Sequence, residues 1–286
     1  MKLGISSYSL YQAMDQGRMN IAEVIDWTAG IGASHIEIVP GLGFDFDSDP
    51  GLEEQIVNKA KAAGIEISNY AIGANFITDT DEDYEAEIAR VIGEVDRVHR
   101  LGAKLMRHDV ASREDTSILR FNEDLEKIAA ACRRIADHAA QYGITTSVEN
   151  HGYYVQASDR VQALLHAVDR PNYKTTLDVG NFVCVDENPV TAVKSNLKYA
   201  SMVHIKDFYI RPSYRNPGEG WFRSSGGNYL RGAIAGHGDI DLPEILRAIK
   251  SSGYDGFLSI EYEGMEDCLN GTKIAFDNVK RIWDEV

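Results

Sequence analysis

Short runs of apolar and β-branched residues recur along the chain, each followed by a longer stretch whose apolar positions return every three or four residues. The short runs read as strands and the long ones as amphipathic helices. The strand candidates are Leu3 to Tyr8, His35 to Val39, Glu66 to Ile72, Lys104 to Asp109, Thr145 to Asn150, Lys174 to Asp178, Ser201 to Lys206 and Phe257 to Tyr262. Between them, sets such as Ile21, Val24, Ile25 and Thr28, or Leu125, Ile128, Ala129, Cys132 and Ile135, mark helix faces that pack inward. Several helices are followed by a glycine and then the next strand, at Gly64, Gly102, Gly143 and Gly253. Glycine tolerates the left-handed conformation that lets a chain leave a helix.

Eight such units predict an α/β fold, a (β/α)8 TIM barrel formed as a single domain over residues 1–286. The length suits a fold that commonly uses about 250 residues. No proline-rich linker, low-complexity tract or break in composition divides the chain. The one long irregular region, from about Phe208 to His237, follows the seventh strand and so falls on the face where barrel active sites lie. It reads as a loop covering a substrate or as a subunit contact.

Composition narrows the class. An apolar share of 44% and a charged share of 26% are those of a soluble globular protein. The formal charge of -15 opposes the phosphate neutralisation that drives most nucleic-acid binding, so no nucleic-acid partner is expected. Cys132, Cys184 and Cys268 are odd in number and widely spaced, which supports neither a disulfide framework nor a thiolate zinc site. No signal-peptide pattern and no run of about 18 apolar residues is found, so the cytoplasm is the expected address and no membrane partner is expected.

Four polar residues stand at the ends of otherwise apolar strands five to eight: Glu149, Asp178, His204 and Glu261. In a barrel these ends converge, and ionised carboxylates brought together there repel and lose solvation unless something positive sits among them. Three carboxylates and one imidazole suit one hard or borderline divalent cation, Mn2+ first, with Mg2+, Co2+, Fe2+ and Zn2+ as alternatives. Such an ion polarises a substrate carbonyl as a Lewis acid. Further candidates for substrate contact are His108, which ends strand four, His151, which follows a ligand, and Lys206, two residues after His204. Tyr8, Tyr70, Phe76, Tyr153 and Trp221 could wall a sugar ring, although most buried aromatics are core.

The segments Glu149-Asn150-His151-Gly152, Leu177-Asp178-Val179-Gly180-Asn181, Val203-His204-Ile205-Lys206-Asp207 and Ile260-Glu261-Tyr262-Glu263 resemble those of the xylose isomerase-like superfamily of sugar phosphate isomerases and epimerases. Taken together the motifs are specific to the superfamily and cover nearly the whole chain; taken singly each is weak. The resemblance implies a metal-dependent sugar isomerase or epimerase that abstracts a proton next to a carbonyl through a metal-stabilised enediolate, with Glu149 and Glu261 as the two catalytic carboxylates. It also implies Asp241, in Gly236-His237-Gly238-Asp239-Ile240-Asp241, as a helix N-cap. Three positions depart from the ketose 3-epimerases of the superfamily. Val155 replaces a substrate-binding glutamate, Asn181 replaces a histidine and is carried as a substrate contact, and Arg211 stands one residue out of register with a substrate-binding arginine.

The same first step serves a lyase, either an inosose dehydratase or an enzyme that cleaves oxidised C-glycosides by β-elimination. A DNA-repair enzyme resembling endonuclease IV is the remote alternative: it needs a cluster richer in histidine, and strand three carries none. A homo-oligomer or a partner subunit is expected by analogy with related barrels.

Overall fold

A computed structural model describes residues 1–286. Eight parallel strands close into a barrel: β1 (Lys2–Ser6), β2 (His35–Ile38), β3 (Glu66–Ile72), β4 (Leu105–His108), β5 (Thr145–Glu149), β6 (Tyr173–Asp178), β7 (Ala200–Ile205) and, last in the chain, β11 (Phe257–Ile260). Around the barrel the order is β1, β11, β7, β6, β5, β4, β3, β2, so the seam joins the first and last strands with Leu3 opposite Leu258 and Ile5 opposite Ile260. All eight strand candidates are present; β3 and β6 end where expected, and the other six stop one or two residues earlier, where the chain turns into a loop.

The helices are α1 (Tyr11–Asp15), α2 (Ile21–Gly30), α3 (Leu52–Ala63), α4 (Asp81–Leu101), α5 (Ile118–Ala140), α6 (Ser158–Val168), α7 (Pro189–Asn196), α8 (Leu242–Ser251) and α9 (Cys268–Glu285). Their starts follow from local chemistry. Asn20 and Glu23 form a reciprocal capping box on α2, and Asp241 accepts from the backbone N–H of Glu244 at 3.1 Å, which makes it the N-cap expected of it. α3 and α4 end on Gly64 and Gly102 at φ of 73° and 76°, where a side chain would be strained. The buried faces include Ile21, Val24, Ile25 and Thr28 on α2, and Ile128, Ala129, Cys132 and Ile135 on α5; the apolar ones join one core with residues of the strands, and the Thr28 hydroxyl donates to the carbonyl of Val24. No helix is long and apolar enough to cross a membrane.

The region from Phe208 to His237 is more ordered than the sequence suggested. It contains a separate antiparallel sheet of β8 (Asp207–Arg211), β9 (Phe222–Arg223) and β10 (Tyr229–Ala233), with β10 in the centre. β8 follows β7 after the single residue Lys206, and its pairing with β10 bridges a gap in sequence that short-range patterning does not reveal.

One buried histidine is part of this frame rather than of any site. Nε2 of His35 lies 3.0 Å from the carbonyl of Leu258, and burial pushes the imidazole down from 6.5 to about 4. The folded state therefore holds it neutral where the unfolded chain takes up a proton, and stability falls as pH drops from 6.5 towards 4. The contribution is at most on the order of 3 kcal/mol. Urea unfolding at pH 7 and pH 5 should show the wild type losing more stability than His35→Gln; equal losses would remove His35 from the account.

Candidate active site

Because the barrel strands are parallel, their carboxyl ends open on one face. Glu149 closes β5, Asp178 closes β6, His204 sits one residue before the end of β7, and Glu261 follows β11. These strands are consecutive neighbours in the barrel, and Asp178 pairs directly with His204 across the ladder. One ligand-capable atom from each of the four residues lies within 4.8 Å of the others. The sequence-derived quartet is thus one cluster in space, buried except for the edge of Glu261.

The orientation of His204 is set from across the barrel. Its Nε2 is 2.9 Å from Oε2 of Glu37 on β2, and the same oxygen accepts from Nδ2 of Asn69 on β3 at 2.9 Å. A carboxylate acceptor places the ring proton on Nε2 and leaves Nδ1 facing inward. That nitrogen lies 3.6 Å from Glu149, 3.6 Å from Glu261 and 4.0 Å from Asp178, and it has no hydrogen-bond partner. Oδ2 of Asp178 is likewise buried without one, although Lys206 Nζ is 3.3 Å away. Burial, with Glu261 and Glu149 nearby, pushes the Asp178 carboxyl up to about 7. Against the cost of burial, Glu37, Glu261 and Glu149 raise His204 well above the usual imidazole range. Two unsatisfied inward atoms among gathered carboxylates fit a divalent cation, which would stand where the cluster otherwise draws protons.

Each glutamate of the quartet meets a cation on its other side. Oε2 of Glu149 is 2.7 Å from Nε of Arg107, and Arg107 with His204 holds this carboxyl well below the ordinary range although burial acts the other way. Oε2 of Glu261 is 2.5 Å from Nζ of Lys206, which also lies 3.5 Å from Glu263. Lys206 reaches the cluster from the link between β7 and β8, and the backbone after β6 must pass close to it. A Cβ on Gly180 would lie 2.9 Å from the Cβ of Lys206, so only glycine fits without displacement.

A cavity of about 320 Å³ opens over the cluster, with Arg107, His151, Lys206 and Glu263 in its walls and Tyr8 at one side. His151 and Lys206 are where the sequence placed them. Asn181 is at the cluster, but its Nδ2 is 3.1 Å from Oε1 of Glu149 and its Oδ1 is 3.4 Å from Lys206, so it holds other site residues. His108 does not reach the cavity: it is fully buried, donates from Nδ1 to the carbonyl of Asp109, and packs between Phe76 and Tyr173. Arg211 also stays away, with its guanidinium on Asp239 at 2.8 Å and over the ring of Trp221. Tyr70 and Phe76 are core, and Trp221 lies just before β9 with Arg211 and Arg231 over its ring.

Glu37, Asn69, Arg107 and Glu263 carry site geometry that the sequence reading did not assign. A lone glutamate inside the apolar strand His35–Ile38 was the available signal for Glu37.

The sequence model of the xylose isomerase-like TIM barrel family matches residues 25–283. The chain belongs to that family. The chain is 27% identical over 195 residues to an inosose dehydratase of Lacticaseibacillus casei, covering 64% of this chain and 65% of that one. It therefore spans slightly less than two thirds of that relative. Among solved structures, the IolI protein with a bound zinc atom superimposes with a TM-score of 0.76 at 18% identity, covering 100% of this chain and 97% of the other. A probable 3-DHS dehydratase of Bacillus anthracis gives 0.74 at 17% identity, with 98% of each chain covered. At these identities the structural likeness speaks for the fold.

Proposed function

We propose that the protein is a divalent-metal-dependent lyase that dehydrates a small, uncharged polyol bearing a carbonyl. Glu149, Asp178, His204 and Glu261 would hold the ion, which when bound would polarise the carbonyl. Glu261 takes the proton from the carbon beside that carbonyl. The electron pair left behind forms a carbon–carbon double bond as the hydroxyl on the next carbon departs, and Lys206 supplies the proton that turns it into water.

The observation that carries this reading is the unequal pairing of the two glutamates. Glu149 is paired with a guanidinium, which keeps its proton at every accessible pH, whereas Glu261 is paired at 2.5 Å with the ammonium of Lys206, which Asp178, Glu261 and Glu263 hold protonated against the cost of burial and which gives up its proton only to a base as strong as a departing hydroxide. One able acid–base couple suits elimination, and the inosose dehydratase relative is in keeping with it. The presence of both glutamates in one cluster favours the second reading, isomerisation or epimerisation by the same first step.

The substrate class follows from charge. Arg107 faces Glu149 and Asp109, Lys206 faces Asp178, Glu261 and Glu263, and His151 lies 3.5 Å from Asp109. Each cation in the cavity is matched by carboxylates, leaving none to neutralise a phosphate or a carboxylate ligand.

Incubating the Mn2+-loaded protein with an inosose in deuterated buffer distinguishes the readings. Dehydration should give a product with new ultraviolet absorbance from the conjugated carbonyl, without a stereoisomer of the starting compound. Deuterium in a recovered stereoisomer with no absorbance change would select epimerisation; no exchange with inososes or ketoses would sink both.

A further inference from the structure

We propose that the site has a second lobe that binds an apolar ring or alkyl group, so that the preferred substrate is a neutral polyol carrying such a substituent. This rests on the function proposed above in taking the metal cavity as the place of reaction. A pocket of about 120 Å³ adjoins that cavity and shares His151, Lys206 and Glu263 with it as a common wall. Its far side is formed by Tyr153, Cys184 and Phe222. An apolar cavity of about 150 Å³ accommodates benzene, so the lobe is on the scale of an alkyl group or a single ring.

The polar groups around the lobe are already engaged. Gln156 accepts from the backbone N–H of Tyr153 at 2.5 Å and donates to the carbonyl of Asn181 at 2.6 Å. Asn181 bonds Glu149, and the hydroxyl of Tyr153 donates to the carbonyl of Arg223 at 2.8 Å. On the side away from the charged wall of Lys206, Glu263 and His151, what remains to be offered is the faces of two aromatic rings and a thiol that burial pushes up to about 12, hence neutral. Surfaces of this kind favour an apolar guest over a hydroxylated one.

Both rings are fixed before any ligand arrives. Tyr153 sits at φ 66°, a conformation costly for a residue with a side chain and maintained by its bonds to Gln156 and Arg223. Phe222 is 38% exposed and stands on β9, beside Phe208. The hairpin that carries it is tied to the segment after β6 by Asp186, which accepts from Ser224 Oγ at 2.7 Å and Asn228 Nδ2 at 2.8 Å. An aromatic side chain left partly in water on a braced hairpin is a ready contact for an apolar group.

Calorimetric titration of the full Mn2+-loaded chain with phenyl β-D-glucopyranoside and methyl β-D-glucopyranoside tests this. The phenyl compound should bind about tenfold more tightly, as the added burial of a ring allows, and the advantage should shrink to within about twofold in Phe222→Ala. Tyr153→Gly should act likewise, and it suits the left-handed backbone, so it keeps the test open if the first variant folds poorly. Equal affinities in the wild type, no binding of the phenyl compound, or an advantage that survives both substitutions would overturn the second lobe. Proton exchange with an unsubstituted inosose reports on the reaction separately, so failure of the lobe and failure of the lyase reading are told apart.

Discussion

The Glu261→Gln variant is expected to lose proton abstraction from substrate by about 10²–10⁴-fold while still binding the cation, since an amide oxygen can replace the carboxylate as a ligand but not as a base. Metal stoichiometry and the rate of deuterium incorporation, measured on the same preparation, separate the two roles. Exchange within tenfold of the wild type would take the base role away from Glu261. The matching Glu149→Gln variant should show a different defect. It leaves the buried Arg107 with Asp109 as its one remaining carboxylate partner and takes a charge from the metal quartet, so weakened folding and metal binding should accompany any loss of rate.

The second large effect is expected at a residue behind the quartet, Glu37. Glu37→Gln removes the charge behind His204 but leaves an acceptor of similar shape, so the ring keeps its orientation and becomes a poorer donor to the cation. Loss of such a supporting partner typically lowers metal affinity by about 10–100-fold. Competition with a chelator of known affinity measures this directly. Unchanged affinity would mean that Asn69 and the packing around His204 fix the ring without help from the charge.

Much of this was legible in the sequence, for reasons that differ by residue. The barrel strands are short and apolar, their helices carry clear faces, and glycines mark the returns, so periodicity alone located all eight units. Glu149, Asp178, His204 and Glu261 stood out because they stand at the ends of four successive apolar strands; one alone would be an ordinary cap or loop residue. Arg211 came from the family resemblance, one residue out of register, and His108 from its place at the end of strand four. The first is drawn to Asp239 by the outer sheet, and the second turns into the core against Phe76 and Tyr173. Both outcomes depend on tertiary neighbours that no local pattern encodes. Glu37 and Arg107 were passed over for the converse reason: each is a charged residue within a strand whose use appears only when the barrel closes and supplies a partner. The sheet of β8, β9 and β10 was read as a loop because its strands are joined by exposed polar turns and paired over a long interval.

The bond between Glu37 and His204 joins residues 167 positions apart and runs across the barrel between strands that are not neighbours. A growing chain acquires Glu37 early but has nothing to orient until β7 has been made, and the two walls face each other firmly only after the terminal strands have met. Cation capture should thus be a late event in maturation, reporting that the polypeptide has finished folding.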